Sequence, residues 1–428
     1  MIATLTLISV ALVFIGVPLA FAMGAASLTV FTIFLPHLPM EVVAQRIFAA
    51  ADKYSLAAVP LFILAGELMN WGGLTTRLVD FSRAIVGWIR GGLGYVTVVT
   101  AVLLSGISGS GTADAAALGK ILIPAMRKQG YDDAFAASLV ASSVALGPII
   151  PPSIVMVVYA AMTNISTGKL FLAGIIPGLV IAAFFMVLVM IFSIIRRYPR
   201  DRWGGFRFAT KAFFDAIGAI VAPLIIIVGM VGGYFGATEA GAVICTYAAV
   251  LGFLYREMTW QKMFDACKDT VLSTGVILFA IAVAASISWI MAVGGLPQTI
   301  AQFLISMSDY RDSILLLVIG ILLFLGLFLD GISLMVILVP VFVPVATALG
   351  LDQLHFAMVI ILCITVGAIH PPVGMFVYVA CQVSGVPVST VTKSITIWWF
   401  VLAMILAVLV CTFVPELVVW LPYALLGK

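Results

Sequence analysis

The chain has 428 residues, of which 64% are hydrophobic and only 9% are charged, and its mean hydropathy is +1.27. Soluble domains carry roughly 25% charged residues, so this composition excludes a soluble globular protein and predicts an all-α polytopic membrane protein with spans of about 20 residues. The net charge is +3, and no basic patch with interleaved aromatic residues occurs, which excludes nucleic acid as a partner.

The first half of the chain, residues 1–195, is predicted to be the first of two repeats. It holds, in chain order, two spans, an amphipathic arm helix, a third span, a re-entrant hairpin, a broken helix and a last span, at residues 2–19, 20–36, 38–53, 56–78, 91–128, 132–160 and 169–194. Charged residues recur periodically in the arm helix, which is typical of a helix lying in the interface with membrane lipid. Both apolar pieces of the hairpin are short for a full crossing, and a Gly/Ser tip joins them.

The second half, residues 212–428, repeats this scheme after a basic linker at residues 196–211. It is predicted to hold an arm helix at 255–268, a hairpin at 312–348 and a broken helix at 352–380. Residues of the two halves match at a constant offset of 220 positions: Gly106 with Gly326, Gly111 with Gly331, Pro124 with Pro344, Gly130 with Gly350, Asp132 with Asp352, Gly147 with Gly367, Pro151 with Pro371, Pro152 with Pro372 and Ala160 with Ala380. A run of matches at one offset indicates an internal duplication.

Charge predicts that the two repeats have opposite orientations in the membrane. The first hairpin is followed by Arg127 and Lys128, whereas its counterpart is followed by Thr347 and Ala348. Because cytoplasmic loops carry the excess of Lys and Arg, the base of the first hairpin and the basic linker are predicted to be cytoplasmic. About five spans and one hairpin per half give the odd number that inversion requires. Both termini are then expected outside.

Each half contains a proline pair in an apolar run, in the segments 147–152 and 367–372. Two consecutive prolines break a helix, and in lipid the freed carbonyls need partners. Backbone carbonyls near Gly147, Ile150, Gly367 and His370 suit a hard cation such as Na⁺, as in other broken membrane helices. His370 is a weak candidate for another metal, because His37 and His355 are distant in the sequence.

The hairpin tips carry hydroxyl groups and helix starts. The first tip has four such side chains, Ser105, Ser108, Ser110 and Thr112, and the second tip is the segment 326–333. Free amides at a helix start favour an anionic group. The alternative is that Gly and Ser serve only for packing between membrane helices.

Asp114 and Asp330 are acidic residues in apolar surroundings at these tips. A carboxylate within the membrane is costly and indicates a functional site. For Asp114, capping of the second hairpin helix is an equally good explanation. For Asp330 the sequence favours a role in the site.

Four motifs together resemble the large membrane subunit of tripartite ATP-independent periplasmic (TRAP) transporters. They are SGSGTADAAALG at 108–119, GPIIPPS at 147–153, TEAGAV at 238–243 and GAIHPPVG at 367–374. The resemblance covers essentially the whole chain. It implies a multi-pass protein of the bacterial inner membrane that imports an organic acid, of the sialic acid or C4-dicarboxylate type, with Na⁺ as the coupling ion. It also implies an elevator design, a separate small membrane subunit and a periplasmic substrate-binding protein.

The same resemblance places Na⁺ between each hairpin and the proline break that faces it. The residues expected there are Ser105, Gly147, Ile150, Pro151, Gly326, Gly367, His370 and Pro371, largely through backbone carbonyls. The substrate is expected between the tips, at Ser108, Ser110, Thr112, Ser153 and Asp330. His370 departs from the small or hydroxyl residue expected at its position.

Two other functions stay open from the residues alone. One is a polytopic membrane enzyme that uses Asp114 and Asp330 as a general acid–base pair. The other is an ion channel in which the breaks form a filter. No Walker loop, GxSxG or HExxH motif occurs, so the energy for transport is expected from an ion gradient unless another subunit hydrolyses nucleotide.

Overall fold

The computed structural model describes residues 1–307, 310–327, 329–371 and 374–427, and all of the secondary structure in these residues is helical. The first half contains ten α-helices: α1 Ile2–Phe14, α2 Leu19–Phe34, α3 Glu41–Ala51, α4 Ala58–Trp71, α5 Leu74–Val86, α6 Gly92–Ser108, α7 Gly111–Lys128, α8 Asp133–Ser143, α9 Ile154–Thr163 and α10 Thr167–Ile195. Short 3₁₀ helices cover Tyr54–Ala57 and Val144–Leu146.

The second half contains eleven α-helices within the described residues. They are α11 Gly205–Val231, α12 Ala237–Leu254, α13 Trp260–Val293, α14 Leu296–Met307, α15 Arg311–Leu325, α16 Gly331–Ala348, α17 Gln353–Ile369, α18 Met375–Ser384, α19 Val388–Thr392, α20 Ile395–Phe413 and α21 Glu416–Leu426.

Seven helical segments in the described part of the chain are long and apolar enough to cross a membrane. These segments are Tyr54–Trp71, Thr167–Ile195, Gly205–Val231, Ala237–Leu254, Trp260–Val293, Gly331–Ala348 and Ile395–Phe413. Several shorter apolar helices, α6, α8, α9, α15, α17 and α18 among them, lie in the predicted hairpins and broken helices. The prediction of an all-α polytopic membrane protein is therefore confirmed.

The two halves interlock through matching pairs of helices. The second hairpin helix of one half packs on the second part of the broken helix of the other half, in the pairs α7–α18 and α16–α9. The pairs α2–α13 and α4–α12 join the halves in the same reciprocal way. The duplication therefore also appears in the helix contacts.

The N-caps of the broken helices show the duplication at the level of single side chains. Asp132 caps α8 by accepting a hydrogen bond from the Phe135 amide at 3.1 Å. Asp352, 220 positions later, caps α17 by accepting one from the His355 amide at 2.9 Å. An acidic N-cap satisfies an amide that has no partner within its helix, and here it fixes where both broken helices begin.

Three element boundaries differ from those expected from the sequence. The span expected at 56–78 ends at Trp71, because Gly73 adopts a φ of +71° and α5 starts after it. The arm helix expected at 255–268 is not a separate element: residues 260–293 form the single helix α13, which contains no proline. The linker expected at 196–211 is shorter, since α11 begins at Gly205.

Candidate functional site

A cavity of about 630 Å³ lies where both hairpin tips meet both helix breaks. Its lining includes the first tip from Ser108 to Ala113 and residues of the second tip, among them Gly326 and Asp330. Pro148 and Gly367 contribute from the breaks, while α4 and α13 complete the wall. The volume falls within the range of roughly 300–1,000 Å³ that small-molecule sites occupy.

At the first tip, Ser110 caps α7. Its hydroxyl oxygen accepts a hydrogen bond from the Ala113 amide at 3.5 Å and lies 3.2 Å from the Thr112 hydroxyl. The Ser110 amide donates to the Ser108 hydroxyl oxygen at 3.3 Å. Ser108, Ser110 and Thr112, all predicted substrate residues, therefore lie together on the cavity wall at the start of a helix.

Asp114 is fully buried beneath the same tip. The Ser108 hydroxyl donates a hydrogen bond of 2.6 Å to its Oδ1, whereas its Oδ2 has no hydrogen-bond partner among the described residues. A Cβ atom at Gly147 would lie 3.3 Å from this Oδ2. The free oxygen of the buried carboxylate is therefore next to the backbone of the first break.

The first break packs directly on the tip through glycines. Gly109 has a φ of +60°, and a Cβ atom there would lie 2.2 Å from the Pro152 carbonyl oxygen. Likewise, a Cβ atom at Gly147 would lie 3.0 Å from the Gly111 amide nitrogen. Only residues without side chains permit this approach, which brings the Pro152 carbonyl to the tip and the Gly147 backbone to Asp114.

Two predicted site hydroxyls are engaged within their own elements. Ser153 is fully buried, donates to the Pro148 carbonyl at 2.6 Å and caps α9 by accepting from the Met156 amide. Ser105, also fully buried, donates to the Ala101 carbonyl at 2.6 Å. Ile150 and Pro151 lie in the break, and Pro151 is buried. Ser153 holds the break together from behind the cavity wall.

At the second tip, Asp330 caps α16. Its carboxylate accepts a hydrogen bond from the Ser333 amide at 3.1 Å and a short one from the Ser333 hydroxyl. Asp330 stands 220 positions after Ser110, so equivalent residues start the second helix of each hairpin. Unlike Asp114, Asp330 is exposed, and it lines the cavity.

The second break also packs on its tip through backbone atoms. A Cβ atom at Gly367 would lie 2.7 Å from the Gly326 carbonyl oxygen. The His370 ring packs edge-on against Trp398 with ring centroids 5.0 Å apart and contacts the Pro371 carbonyl. Pro372, the second proline of this break, lies outside the described residues. The tip therefore meets the break at Gly326 and Gly367, and the His370 ring is directed towards Trp398.

Sequence reasoning missed Glu67, which lies on α4 and lines the cavity half-buried. In the sequence Glu67 is a single acidic residue within an apolar span. A carboxylate within the membrane is costly and indicates a functional site, as was argued for Asp114. Ser273 of α13 and Thr365 of α17 also line the cavity and were not predicted.

The charges around the cavity have one sign. Glu67 and Asp330 line it, and none of the described lining residues is Lys, Arg or His. Positive potential is supplied instead by the start of α7, which the uncharged Ser110 caps, because helix N-termini carry about half a positive charge. At the start of α16 the Asp330 carboxylate offsets that charge. The described residues contain no group of three or more His, Cys, Asp or Glu side chains suited to a metal. Apart from the two carboxylates, the oxygen donors around the cavity are backbone carbonyls and hydroxyls, which are ligands of hard cations.

Solved structures of transporters share this fold. The chain resembles YdaH of Alcanivorax borkumensis, described as a transporter, with a TM-score of 0.62 and 14% sequence identity over 87% of both chains. It also resembles MtrF of Neisseria gonorrhoeae, with a TM-score of 0.58 and 15% identity over 87% of this chain and 83% of the other. At such low identity these likenesses establish the fold only.

TRAP transporter permease proteins are similar to this chain at much higher sequence identity. The sialic acid TRAP transporter large permease protein SiaM of Vibrio cholerae is 38% identical over 97% of each chain. The C4-dicarboxylate TRAP transporter large permease protein DctM of the same species is 34% identical over 100% of this chain and 98% of that protein. The sialic acid TRAP transporter permease protein SiaT of Haemophilus influenzae is 32% identical over 97% of this chain and 67% of its own length.

The family model for the DctM component of tripartite ATP-independent periplasmic transporters matches residues 6–417. Its matched range contains both hairpins, both breaks and the cavity between them. The chain is therefore a transport subunit of the inner membrane rather than an enzyme, and it belongs to the family of TRAP transporter large permeases.

Proposed function

We propose that this chain imports an organic acid across the bacterial inner membrane by secondary transport coupled to Na⁺. The observation that carries the proposal is the pair of hairpin tips, each packed on a proline break, around one cavity. Broken helices at the middle of a membrane supply free amides for anions and free carbonyls for cations. One cavity with both kinds of group suits an anion and a cation that move together.

The first Na⁺ site would lie between the first tip and the first break. Oδ2 of Asp114 is its charged ligand, and carbonyls of the segment 147–152 are its neutral ligands. A buried carboxylate oxygen without a partner is costly unless a cation or donor joins it, and Na⁺ would offset that cost. The Ser105 hydroxyl donates its hydrogen bond to the Ala101 carbonyl, so Ser105 would support this site within α6 and would not bind the ion through its hydroxyl.

The second Na⁺ site would lie between Gly326 and the segment around Gly367, His370 and Pro371. The close backbone contact between Gly326 and Gly367 supports this proposal, because it brings carbonyls of tip and break together. The His370 ring packs on Trp398, so the backbone rather than the imidazole would bind the ion. This second site would hold Na⁺ without a buried carboxylate.

The substrate would be an organic acid of the kinds that the relatives' names give, sialic acid or a C4-dicarboxylate. Its carboxylate would bind at the start of α7, where Ser110 and Thr112 present hydroxyls and the helix end is positive. With no basic side chain among the described lining residues, bound Na⁺ would provide the remaining positive charge. Substrate binding would thus depend on Na⁺, which is the basis of coupling.

Transport would follow an elevator mechanism in which the hairpins and broken helices slide past a scaffold that includes α2, α4, α12 and α13. A small membrane subunit would brace the scaffold, and a periplasmic binding protein would deliver the substrate. The reciprocal packing of α7 on α18 and of α16 on α9 supports a single moving unit built from both halves.

The function is tested by reconstituting the chain with its small membrane subunit in liposomes and adding the binding protein. Uptake of a radiolabelled organic acid is measured with both partners and with each of them left out in turn. We expect uptake only when both partners are present. Equal uptake without them, or currents of single-channel size, would contradict an importer of this type and favour a channel.

A further inference from the structure

The Glu67 carboxylate is a polar group that the transport mechanism described above does not use. It projects from α4 into the wall of the central cavity and is half-buried. Within the described residues it forms no hydrogen bond and no ion pair, and Asp269 is a charged neighbour of the same sign. Its neighbour Gly66 packs on the backbone of the first tip, since a Cβ atom there would lie 3.3 Å from the Ser108 carbonyl oxygen.

A half-buried carboxylate without a partner has lost part of its hydration and gained no protein donor in return. Such a group binds best to a ligand that brings hydroxyl or N–H donors. It also opposes a second negative charge, because charges of one sign in a partly desolvated cavity repel more strongly than in water. Asp330 on the facing hairpin adds to this repulsion, and no basic side chain among the described lining residues offsets it.

We propose that Glu67 determines specificity by selecting organic acids that carry one carboxylate and several hydroxyl or N–H groups over dicarboxylates. The inference rests on the proposed transport function. The single carboxylate of the substrate binds at the start of α7, and Glu67 accepts hydrogen bonds from hydroxyls of the substrate's other end. A dicarboxylate places its second charge near Glu67 and Asp330 and leaves the Glu67 oxygens without donors. Sites built to bond a polar group discriminate strongly against ligands that lack it.

The experiment measures binding to the purified large permease with its small membrane subunit in detergent, so that the binding protein's own selectivity does not contribute. Probes are gluconate and N-acetylneuraminate, which are polyhydroxy monocarboxylates, and succinate, a C4-dicarboxylate. At saturating NaCl, the concentration of each probe that gives half of the maximal thermal shift is determined. For the wild-type complex we expect at least one monocarboxylate to act at a concentration about tenfold or more below that of succinate.

Glu67→Gln removes the charge but keeps the size and one acceptor oxygen. We expect it to improve succinate binding about tenfold and to weaken the monocarboxylates by a smaller factor, so that the ratio of the two falls. Glu257→Gln is the matched control, because Glu257 lies outside the cavity and pairs with Arg77 at 3.8 Å. The control is expected to leave the ratio unchanged.

Three results would overturn the inference. The first is that succinate binds the wild-type complex as tightly as both monocarboxylates do, and this comparison needs no variant. Glu67→Gln could leave the ratio of probes unchanged. It could also shift only the Na⁺ concentration needed for binding, which would make Glu67 a cation ligand. If no organic acid binds any complex in Na⁺, the proposed transport function fails as well, and that result is distinct from the other three.

Discussion

Asp114 and Asp330 each lie at a hairpin tip, but their carboxylates have different environments. Asp330 occupies the position equivalent to Ser110 and, like it, caps the second helix of its hairpin. Asp114 is equivalent to Leu334, which is fully buried and apolar. Among the described residues, a buried carboxylate oxygen without a hydrogen-bond partner thus occurs in the first half only. This asymmetry predicts that the two ion sites differ in their dependence on charge.

Asp114→Asn tests the charge beneath the first tip. The amide oxygen can still accept the hydrogen bond from Ser108, so the fold is retained while the negative charge is lost. A contact with a charged group contributes about 1.5–3 kcal/mol, so we expect the half-saturating Na⁺ concentration for uptake to rise about tenfold or more. Asp133→Asn is the control, because Asp133 forms an exposed pair with Arg127 at 2.7 Å. Unchanged Na⁺ dependence in the Asp114 variant would remove this residue from the ion site.

Asp330→Asn separates the two roles of the second acid. Asn is as good an N-cap as Asp, so the melting temperature of the purified protein should be close to that of the wild type. If the charge of Asp330 organises the cavity, uptake of the organic acid falls about tenfold or more. Normal uptake with normal stability would show that Asp330 serves α16 only as a cap.

The role of each site residue was harder to predict than its position in the fold. Gly and Pro spacing brought Ser108, Ser110 and Asp330 to one region, and the structure puts all three on the cavity wall. Whether an acid caps a helix depends on the exact residue at which the helix starts, and sequence alone sets that start only to within a residue or two. Capping, considered for Asp114, is instead performed by Ser110 and by Asp330. Glu67 was missed because its helix fitted the repeat scheme without it.

At the level of elements, the hairpin tips and the breaks form one unit in each half because glycines permit backbone contact. In the first half Gly109 meets the Pro152 carbonyl, and in the second half Gly367 meets Gly326. This packing positions carbonyls that neither element could present alone. Tip and break are therefore expected to move together during transport.

Gly109→Ala tests this packing. The added Cβ atom would lie 2.2 Å from the Pro152 carbonyl oxygen, and the residue has a φ of +60°. Gly130→Ala is a matched control, because Gly130 has a φ of +83° but no atom within 4 Å of the added Cβ. Both variants incur the left-handed backbone cost of about 1–2 kcal/mol, and only the first also displaces the tip.

We therefore expect Gly109→Ala to reduce Na⁺-dependent uptake by about tenfold or more relative to Gly130→Ala. Melting temperatures of the two purified variants separate the backbone cost, which they share, from the steric effect. If the two variants transport equally well, the close contact between tip and break is not needed for function.

Element boundaries were predictable where Gly and Pro mark them. The helices α6 and α7 lie within the predicted hairpin 91–128, and Ser110 starts the second of them. The end of the second arm helix was not predictable in this way, because the two halves differ there. The first arm helix ends before Asp52 and is followed by a 3₁₀ turn, whereas α13 continues without a break from Trp260 to Val293. The same scheme of elements thus has a break in one half and a continuous helix in the other.

At the scale of the whole molecule, one contact joins the arm of the proposed scaffold to the proposed moving unit. Lys53 lies just after α3, and its ammonium group donates a hydrogen bond of 2.6 Å to the Ala161 carbonyl of α9. A cation at a helix C-terminus is favourable, so this contact stabilises the observed arrangement. An elevator movement must break it.

Cysteines at positions 53 and 161, introduced by Lys53→Cys and Ala161→Cys after replacement of the five native cysteines, test this movement. Because the contact is made by the end of the lysine side chain, the two cysteines are joined by a bifunctional thiol reagent with an internal disulfide, and not by a direct disulfide, which needs Cα atoms about 4.4–6.8 Å apart. We expect this cross-link to abolish uptake and a reductant to restore it. The control cross-link is made in a variant that retains Cys245 and lacks the other four native cysteines. It joins Leu61→Cys on α4 to Cys245 on α12, whose Sγ lies 2.8 Å from the Leu61 carbonyl. It should leave uptake unchanged, because both helices belong to the proposed scaffold. Full uptake with the 53–161 cross-link in place would contradict large sliding.

The fold as a whole was the most predictable level. Composition excluded a soluble protein, and the offset of 220 positions indicated two related halves. The reciprocal contacts α7–α18 and α16–α9 were not readable from the sequence, since periodicity describes a helix's own faces and not its partner. The cavity arises from those contacts, which is why the contribution of Glu67 to its acidic lining was found only in the structure.

The proposed mechanism depends on the coupling of transport to Na⁺, and an imposed Na⁺ gradient tests that coupling. Liposomes that contain the large and small membrane subunits, supplied with the loaded binding protein, are diluted into NaCl or into KCl of equal ionic strength. We expect the organic acid to accumulate above its outside concentration when the Na⁺ gradient is directed inward, and this accumulation to be lost when an ionophore collapses the gradient. Accumulation that is the same in KCl, or that survives the collapse, would contradict it.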